Sequence, residues 1–192
     1  MTIYYFQGVP IVAPVRVETD ELLFVNETLT MRQDRVKGTG QRWLVSFNLL
    51  PGAGLGPLDL LLRGGTDVFT TRFPQFEPGL TALTSNATAA LGYGSNTMNV
   101  VETFYNSITI GRAFRFSNHS KVYLVTNKTS SGGNYTLHFY PNFQQGIPFN
   151  TPFNYGNNVD FRCRISADQA RGITFTDGIL NDFGTVQLVE AI

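Results

Sequence analysis

Two histidines, His119 and His138, are the side chains in this sequence best suited to moving a proton near neutral pH. Neither sits in an H-x-H, H-E-x-x-H or Cys/His pattern, so no metal-ligand spacing surrounds them. His119 lies in the polar turn SNHSK, and both histidines read as structural or surface residues. Cys163 is the sole cysteine, which rules out an internal disulfide. Its position in an alternating apolar run makes it a buried, inert thiol. A nucleophile elbow G-x-S-x-G is absent, as is a G-x-x-x-x-G-K-[ST] phosphate loop. GAGLG at 52–56 lacks the glycine spacing of a dinucleotide fingerprint, and the helix after it is too short for a βαβ unit. The carboxylates, among them Asp59, Asp67, Glu102, Asp160, Asp182 and Glu190, would have to converge in space to hydrolyse a glycoside. Basic and aromatic residues interleave at RAFRF (112–116) and FRCR (161–164), which is also how a half-buried strand looks. No nucleic-acid motif surrounds either run. The expectation is a chain without catalytic residues, cofactor or metal ligand, and therefore not an enzyme.

The elements that carry these residues are mostly strands. Trp43, Val45, Phe47 and Leu49 share one face of a period-two run, with Leu44, Ser46 and Asn48 opposite. Gly38 and Gly40 precede this run, where a turn or bulge needs a permissive backbone. In LGPLDLLLRGG, Pro57 suits a helix start and Gly64–Gly65 a stop, giving one short helix near 55–63 with a stripe of Leu55, Leu58, Leu61 and Leu62. Residues 66–95 are weakly patterned and read as a connector. From Met98 onward short β runs follow one another: MNVVETF, NSITI, RAFRF, KVYLVTN and NYTLHFY. Ser130–Asn134 forms the turn of an antiparallel hairpin. Residues 141–158 read as a proline-containing loop whose aromatic side chains need cover. In VDFRCRI, Val159, Phe161, Cys163 and Ile165 face one way, with Asp160, Arg162 and Arg164 opposite. GITF and TVQLVEAI close the chain as a final pair of strands around DGILNDFG. The fold class is mainly β: two small antiparallel sub-structures, sandwich or barrel-like, with one short helix near 55–63. Residues 1–80 form the N-terminal sub-structure with the helix, 81–97 a connector and 98–192 the C-terminal sub-structure. Trp43 and Phe47 are expected to anchor the first core, and Val159, Phe161 and Ile165 the second.

Composition bears on how such a fold is used. The chain has 192 residues, 42% of them apolar, which excludes disorder. Charged residues are only 15%, against about 25% in an ordinary soluble domain. A surface poor in charge and rich in Phe and Tyr suits burial in an assembly, where aromatic residues concentrate at contact centres. Net charge is zero and the pI about 6.7, so no global field steers nucleic acid or anionic lipid. The local basic run Arg32, Arg35, Lys37 and Arg42 reads as a solvated connector or a contact between subunits. The beginning, MTIYYFQGVPIVAPV, has no basic start and is broken by Pro10 and Pro14, so no signal peptide is expected. No apolar run is long enough for a membrane-spanning helix. The sequons at Asn26, Asn86, Asn118, Asn127 and Asn134 are therefore expected to remain unmodified.

Four segments in order carry a resemblance. GTGQRWLVSFNLLP (38–51) followed by LGPLDLLLRG is a strand, then a short helix. GYGSNTMNV (92–100) is followed, after an interval, by IGRAFRFSNHSKVYLVTN (110–127). SGGNYTLHFYPNF (131–143) is a glycine turn, strand and proline, and VQLVEAI closes the chain. In this order the chain resembles structural proteins of the tail tip or baseplate of double-stranded-DNA bacteriophages. The resemblance implies a virion component at the distal end of the tail, made in the host cytoplasm. Such a component forms homo-oligomers, with a six-fold ring favoured, and joins tail tube, hub and peripheral proteins. It implies no specific nucleic-acid recognition, no membrane insertion and no cofactor. Phe149, Phe153 and Tyr155 would then fill the centre of a subunit contact, with Arg32, Arg35, Lys37 and Arg42 at its rim. The alternatives are a β-sandwich that binds carbohydrate through the 141–158 loop, or another virion structural protein such as a head–tail connector component.

Overall fold

A computed structural model describes residues 4–27, 33–63, 67–73, 83–155, 159–167, 169, 173–176 and 180–192. Two six-stranded antiparallel sheets dominate it. The first contains β1 (Tyr5–Phe6), β2 (Val9–Glu27), β3 (Gln33–Leu49), β4 (Phe69–Thr71), β11 (Phe161–Ile165) and β14 (Thr185–Glu190). Its order is β1-β2-β3-β14-β11-β4. The second contains β5 (Leu83–Asn86), β6 (Thr97–Val100), β7 (Ala113–Phe116), β8 (Val122–Ser131), β9 (Asn134–Tyr140) and β10 (Pro152–Tyr155), ordered β5-β10-β7-β8-β9-β6. A two-stranded ribbon joins β12 (Thr174–Thr176) to β13 (Leu180–Asp182).

The expected mainly-β fold with two antiparallel sheets is present, and so is the short helix, α1 (Leu58–Arg63). Leu61 is buried and Leu58 and Leu60 pack against the first core, whereas Leu55 and Leu62 are exposed. The apolar stripe is therefore narrower than the leucine spacing implied, because a six-residue helix lays only one turn on the sheet. A second helix, α2 (Glu102–Ser107), stands where MNVVETF read as a continuous strand. The strand stops at Val100, and α2 turns Phe104 into the second core.

The alternating runs behave as their period dictates. Trp43, Val45, Phe47 and Leu49 of β3 are buried, and so are Val159 and Phe161, Cys163 and Ile165 of β11. These two sets share one core rather than anchoring two. The reason is topological: β14 lies between β3 and β11, pairing Val186 with Phe47 and Leu188 with both Val45 and Ile165. The end of the chain thus returns to the first sheet. β12 and β14 do not pair with each other, because β14 buries Val186, Leu188 and Glu190 between β3 and β11.

Strand β8 shows how the sheets meet. Val122 and Leu124 pack into the first core, while Tyr123 and Val125 pack into the second. A strand covered on both faces reads as a continuous apolar run, here VYLV, instead of alternating. The β8–β9 hairpin turns through Gly132 and Gly133, with φ of 56° and 81°. Two successive positive φ values are what a type I′ two-residue hairpin turn requires, and glycine supplies them without a Cβ clash.

Candidate assembly surfaces

The first-sheet hairpin is the longest element. β2 and β3 pair from Ile11↔Leu49 out to Glu27↔Gln33, with a register shift between Glu21 and Leu23. Opposite that shift lie Gly38, Thr39 and Gly40, so the glycines allow extra residues on β3 to bulge. β14 pairs with β3 only from Leu44 to Asn48, and β1 pairs with β2 only at Val9 and Pro10. Beyond the bulge the hairpin is, among the described residues, a two-stranded arm from Leu23↔Lys37 to Glu27↔Gln33. Such a ribbon is about 15 Å long and presents two backbone edges.

The sequence-derived contact residues fall in different places. Phe149 is 68% exposed, at the positive-φ turn that includes Asn150. Phe153 and Tyr155 are buried in the second core, because β10 alternates inward at both positions. Phe104 of α2 meets their rings edge-on at 4.8 and 5.5 Å, and the Tyr155 hydroxyl donates to the Ser107 carbonyl. Phe143 is buried there too. Most of the cover that the 141–158 aromatics need thus comes from the chain itself. Arg42 is exposed on β3. Arg35 and Lys37 belong to the arm, register partners of Val25 and Leu23. Arg32 lies outside the described residues.

A charged cluster that the sequence did not reveal joins the two sheets. Lys121, just before β8, is 0% exposed, and Glu190 of β14 is 2% exposed. The Lys121 ammonium donates to Glu190 Oε2, Gln41 Oε1 and the Gln41 carbonyl. Glu190 also accepts from the backbone N–H groups of Val122, at 2.9 Å, and Trp43, at 3.2 Å. The Trp43 indole N–H donates to the Val122 carbonyl, and Lys121 Nζ lies 5.6 Å from that ring. Burial pushes the ammonium below its usual pKa and the carboxyl above its own, while each partner's charge opposes the push. Buried charges persist only when paired and hydrogen-bonded, and every member of this cluster is. The available signal was the placement of Lys121 beside the two-sided apolar run VYLV, and of Glu190 on the inward period of Val186 and Leu188.

His119 is half-buried, between Asn118 Oδ1 at 2.7 Å and the Tyr123 hydroxyl at 2.8 Å. Burial, followed by the charges of Arg115 and Lys121, lowers its pKa to about 4. A neutral imidazole is consistent with Nδ1–H donating to Asn118 and Tyr123 donating to Nε2. Cys163 is buried, and desolvation pushes its thiol pKa up, away from nucleophilic reactivity. Among the described residues, no three His, Cys, Asp or Glu side chains are grouped to hold a metal ion. No helix among them is long and apolar enough to cross a membrane.

Residues 79–147 match the family model described as distal tail protein pb9, B domain. The matched segment runs from just before β5, through α2 and the β8–β9 hairpin, to the Ile147 bridge, which is most of the second sheet. It is well under half of the chain. No curated protein matches the sequence. The similarity to a distal tail protein agrees with the resemblance carried by segments 92–100, 110–127 and 131–143.

Proposed function

We propose that this chain is a virion structural protein of a phage tail tip or baseplate, working by assembly at the distal end of the tail. The similarity of residues 79–147 to a distal tail protein carries that reading. Ring assembly, with six subunits favoured, is supported by the two-stranded arm. An isolated hairpin is marginal in water, and its free edges invite a neighbouring chain. In this reading the first sheet, built from both ends of the chain, forms the ring body. The second sheet projects from it as a unit that meets peripheral proteins, while the ring joins tube and hub. Arg35 and Lys37, with Arg32 nearby in sequence, would ride on the arm as neighbour contacts, and Arg42 would lie at the rim. Phe149 is the loop aromatic that remains available to a partner. Similarity to a distal protein favours this position over a head–tail connector. The carbohydrate-binding alternative is left with one exposed ring from the 141–158 aromatics, a poor platform for a sugar.

Cryo-electron microscopy of virions tests the proposal. The expected result is a ring of this chain at the distal tail end, with the arm against a neighbour and the Phe149 turn at a contact. A complete tail tip assembled without the protein, or the protein found only outside virions, would overturn it.

A further inference from the structure

Lys121, Gln41 and Glu190 bring an amine, a carboxamide and a carboxyl group into contact at a site closed to water, with exposures of 0%, 3% and 2%. Lys121 Nζ lies 2.5 Å from Gln41 Oε1 and 2.5 Å from Glu190 Oε2. The Gln41 carboxamide is held in one orientation, because its Nε2 donates to Thr19 Oγ1 at 3.0 Å and to the Arg42 carbonyl at 2.9 Å. Its oxygen is thereby turned to the lysine and its NH2 group away from it. Gln144 Nε2 and Lys121 Nζ both donate to the Gln41 backbone carbonyl, at 3.0 and 2.9 Å, which fixes the residue further. The Trp43 ring stands 5.6 Å from Nζ, and Val122 next in sequence is fully buried. Burial disfavours both charges, lowering the ammonium pKa and raising that of the carboxyl. Transfer of one proton from Lys121 to Glu190 removes both charges and frees the lone pair of the amine.

We propose that this cluster is a site of covalent self-modification, in which Lys121 forms an amide with the Gln41 side chain and Glu190 is the general base. Glu190 takes a proton from the ammonium, and the neutral amine attacks Gln41 Cδ. A bond forms between Nζ and Cδ while the Cδ–Nε2 bond breaks. A second Nζ proton passes to Nε2, which leaves as ammonia, and Glu190 keeps the first. The step consumes no co-reactant, and fixed contact supplies the proximity that the same exchange lacks in water. Its product carries no buried charge, since Glu190 ends as the neutral carboxyl that burial favours. Gln41 and Lys121 are 80 residues apart in sequence, so folding must come first. Freshly folded protein holds the ion pair, and the bond forms from it. The bond ties β3 of the first sheet to the start of β8 in the second, and it stands independently of the tail reading.

Mass spectrometry of the full chain tests it, on folded protein directly after purification and again after prolonged incubation. The natural chain should become lighter by one ammonia, and the loss should persist after unfolding in urea. Trypsin should then fail to cut after Lys121 and should release residues 38–42 joined to residues 116–128. Lys121→Met should keep its full sequence mass, and Glu190→Gln should show no Gln41–Lys121 linkage, with circular dichroism checking that each variant folds. Where a variant does not fold, the natural chain decides alone. A natural chain that keeps its full sequence mass, with Lys121 cut normally, overturns the bond. Loss of one water with Lys121 joined to Glu190, or an ammonia loss mapped elsewhere, overturns the assignment of Gln41. A Glu190→Gln chain that still links Gln41 to Lys121 overturns the role of the base.

Discussion

Replacing Glu190 by Gln keeps the shape of the side chain and removes one charge from a site that water does not reach. Lys121 would retain the Gln41 carbonyl and Gln41 Oε1 as acceptors but would lose its counter-charge at Glu190. A buried charge deprived of its partner costs about 3–5 kcal/mol, a large share of the 5–15 kcal/mol that holds an average domain folded. Lys121→Met leaves the opposite orphan, a carboxylate held by the Val122 and Trp43 N–H groups. Its cost should be similar, with some relief because burial already favours the protonated carboxyl. The double variant Lys121→Met/Glu190→Gln removes both charges, and the Gln carbonyl still accepts from a backbone N–H. It should lose only about 1–2 kcal/mol, far less than the two single losses added together. Trp43 is the only tryptophan and sits against this cluster, so its fluorescence through a urea titration reports the transition directly. A Glu190→Gln loss under about 1 kcal/mol, or single losses that simply add, would refute a dry, coupled pair.

Three further outcomes follow from the packing. Phe161→Ala should cost about 3–5 kcal/mol in equilibrium unfolding, since Phe161 is buried and meets Phe73 edge-on at 5.2 Å; a loss under about 1 kcal/mol would show that this face is not core. Gly56→Ala would drive a Cβ into the Gln7 carbonyl oxygen, so it should lower the melting temperature through a loss of about 1–3 kcal/mol, and an unchanged temperature would refute the close approach. The folded His119 pKa of about 4 lies below the ordinary 6.5, so the unfolded chain binds a proton that the folded chain refuses. Stability contributed by this residue should therefore fall as pH drops from 6.5 toward 4, by about 1–2 kcal/mol once partial exposure is allowed for; His119→Gln should remove that component of the slope, and an identical slope in the variant would refute it.

Much of this molecule is written in local period and turn chemistry. Alternation at Trp43–Leu49 and Val159–Ile165 marked buried faces, Gly132–Gly133 marked a hairpin turn, and Pro57 marked the start of α1. Such signals depend on a residue and its near neighbours, so the sequence alone determined the inward faces of those runs and the mainly-β class, but not α2 within MNVVETF or β10 within the 141–158 segment that read as a loop. Period reports that a face is covered, but it does not report by what. Only the tertiary structure placed β14 between β3 and β11, merging two expected cores into one. Only the second core decided that Phe153 and Tyr155 turn inward while Phe149 stays in solvent. Lys121 and Glu190 were the least legible, because a charged residue normally signals solvent. Their burial depends on the partner being brought close by strands far apart in the chain, and on hydrogen bonds that replace the water each one loses.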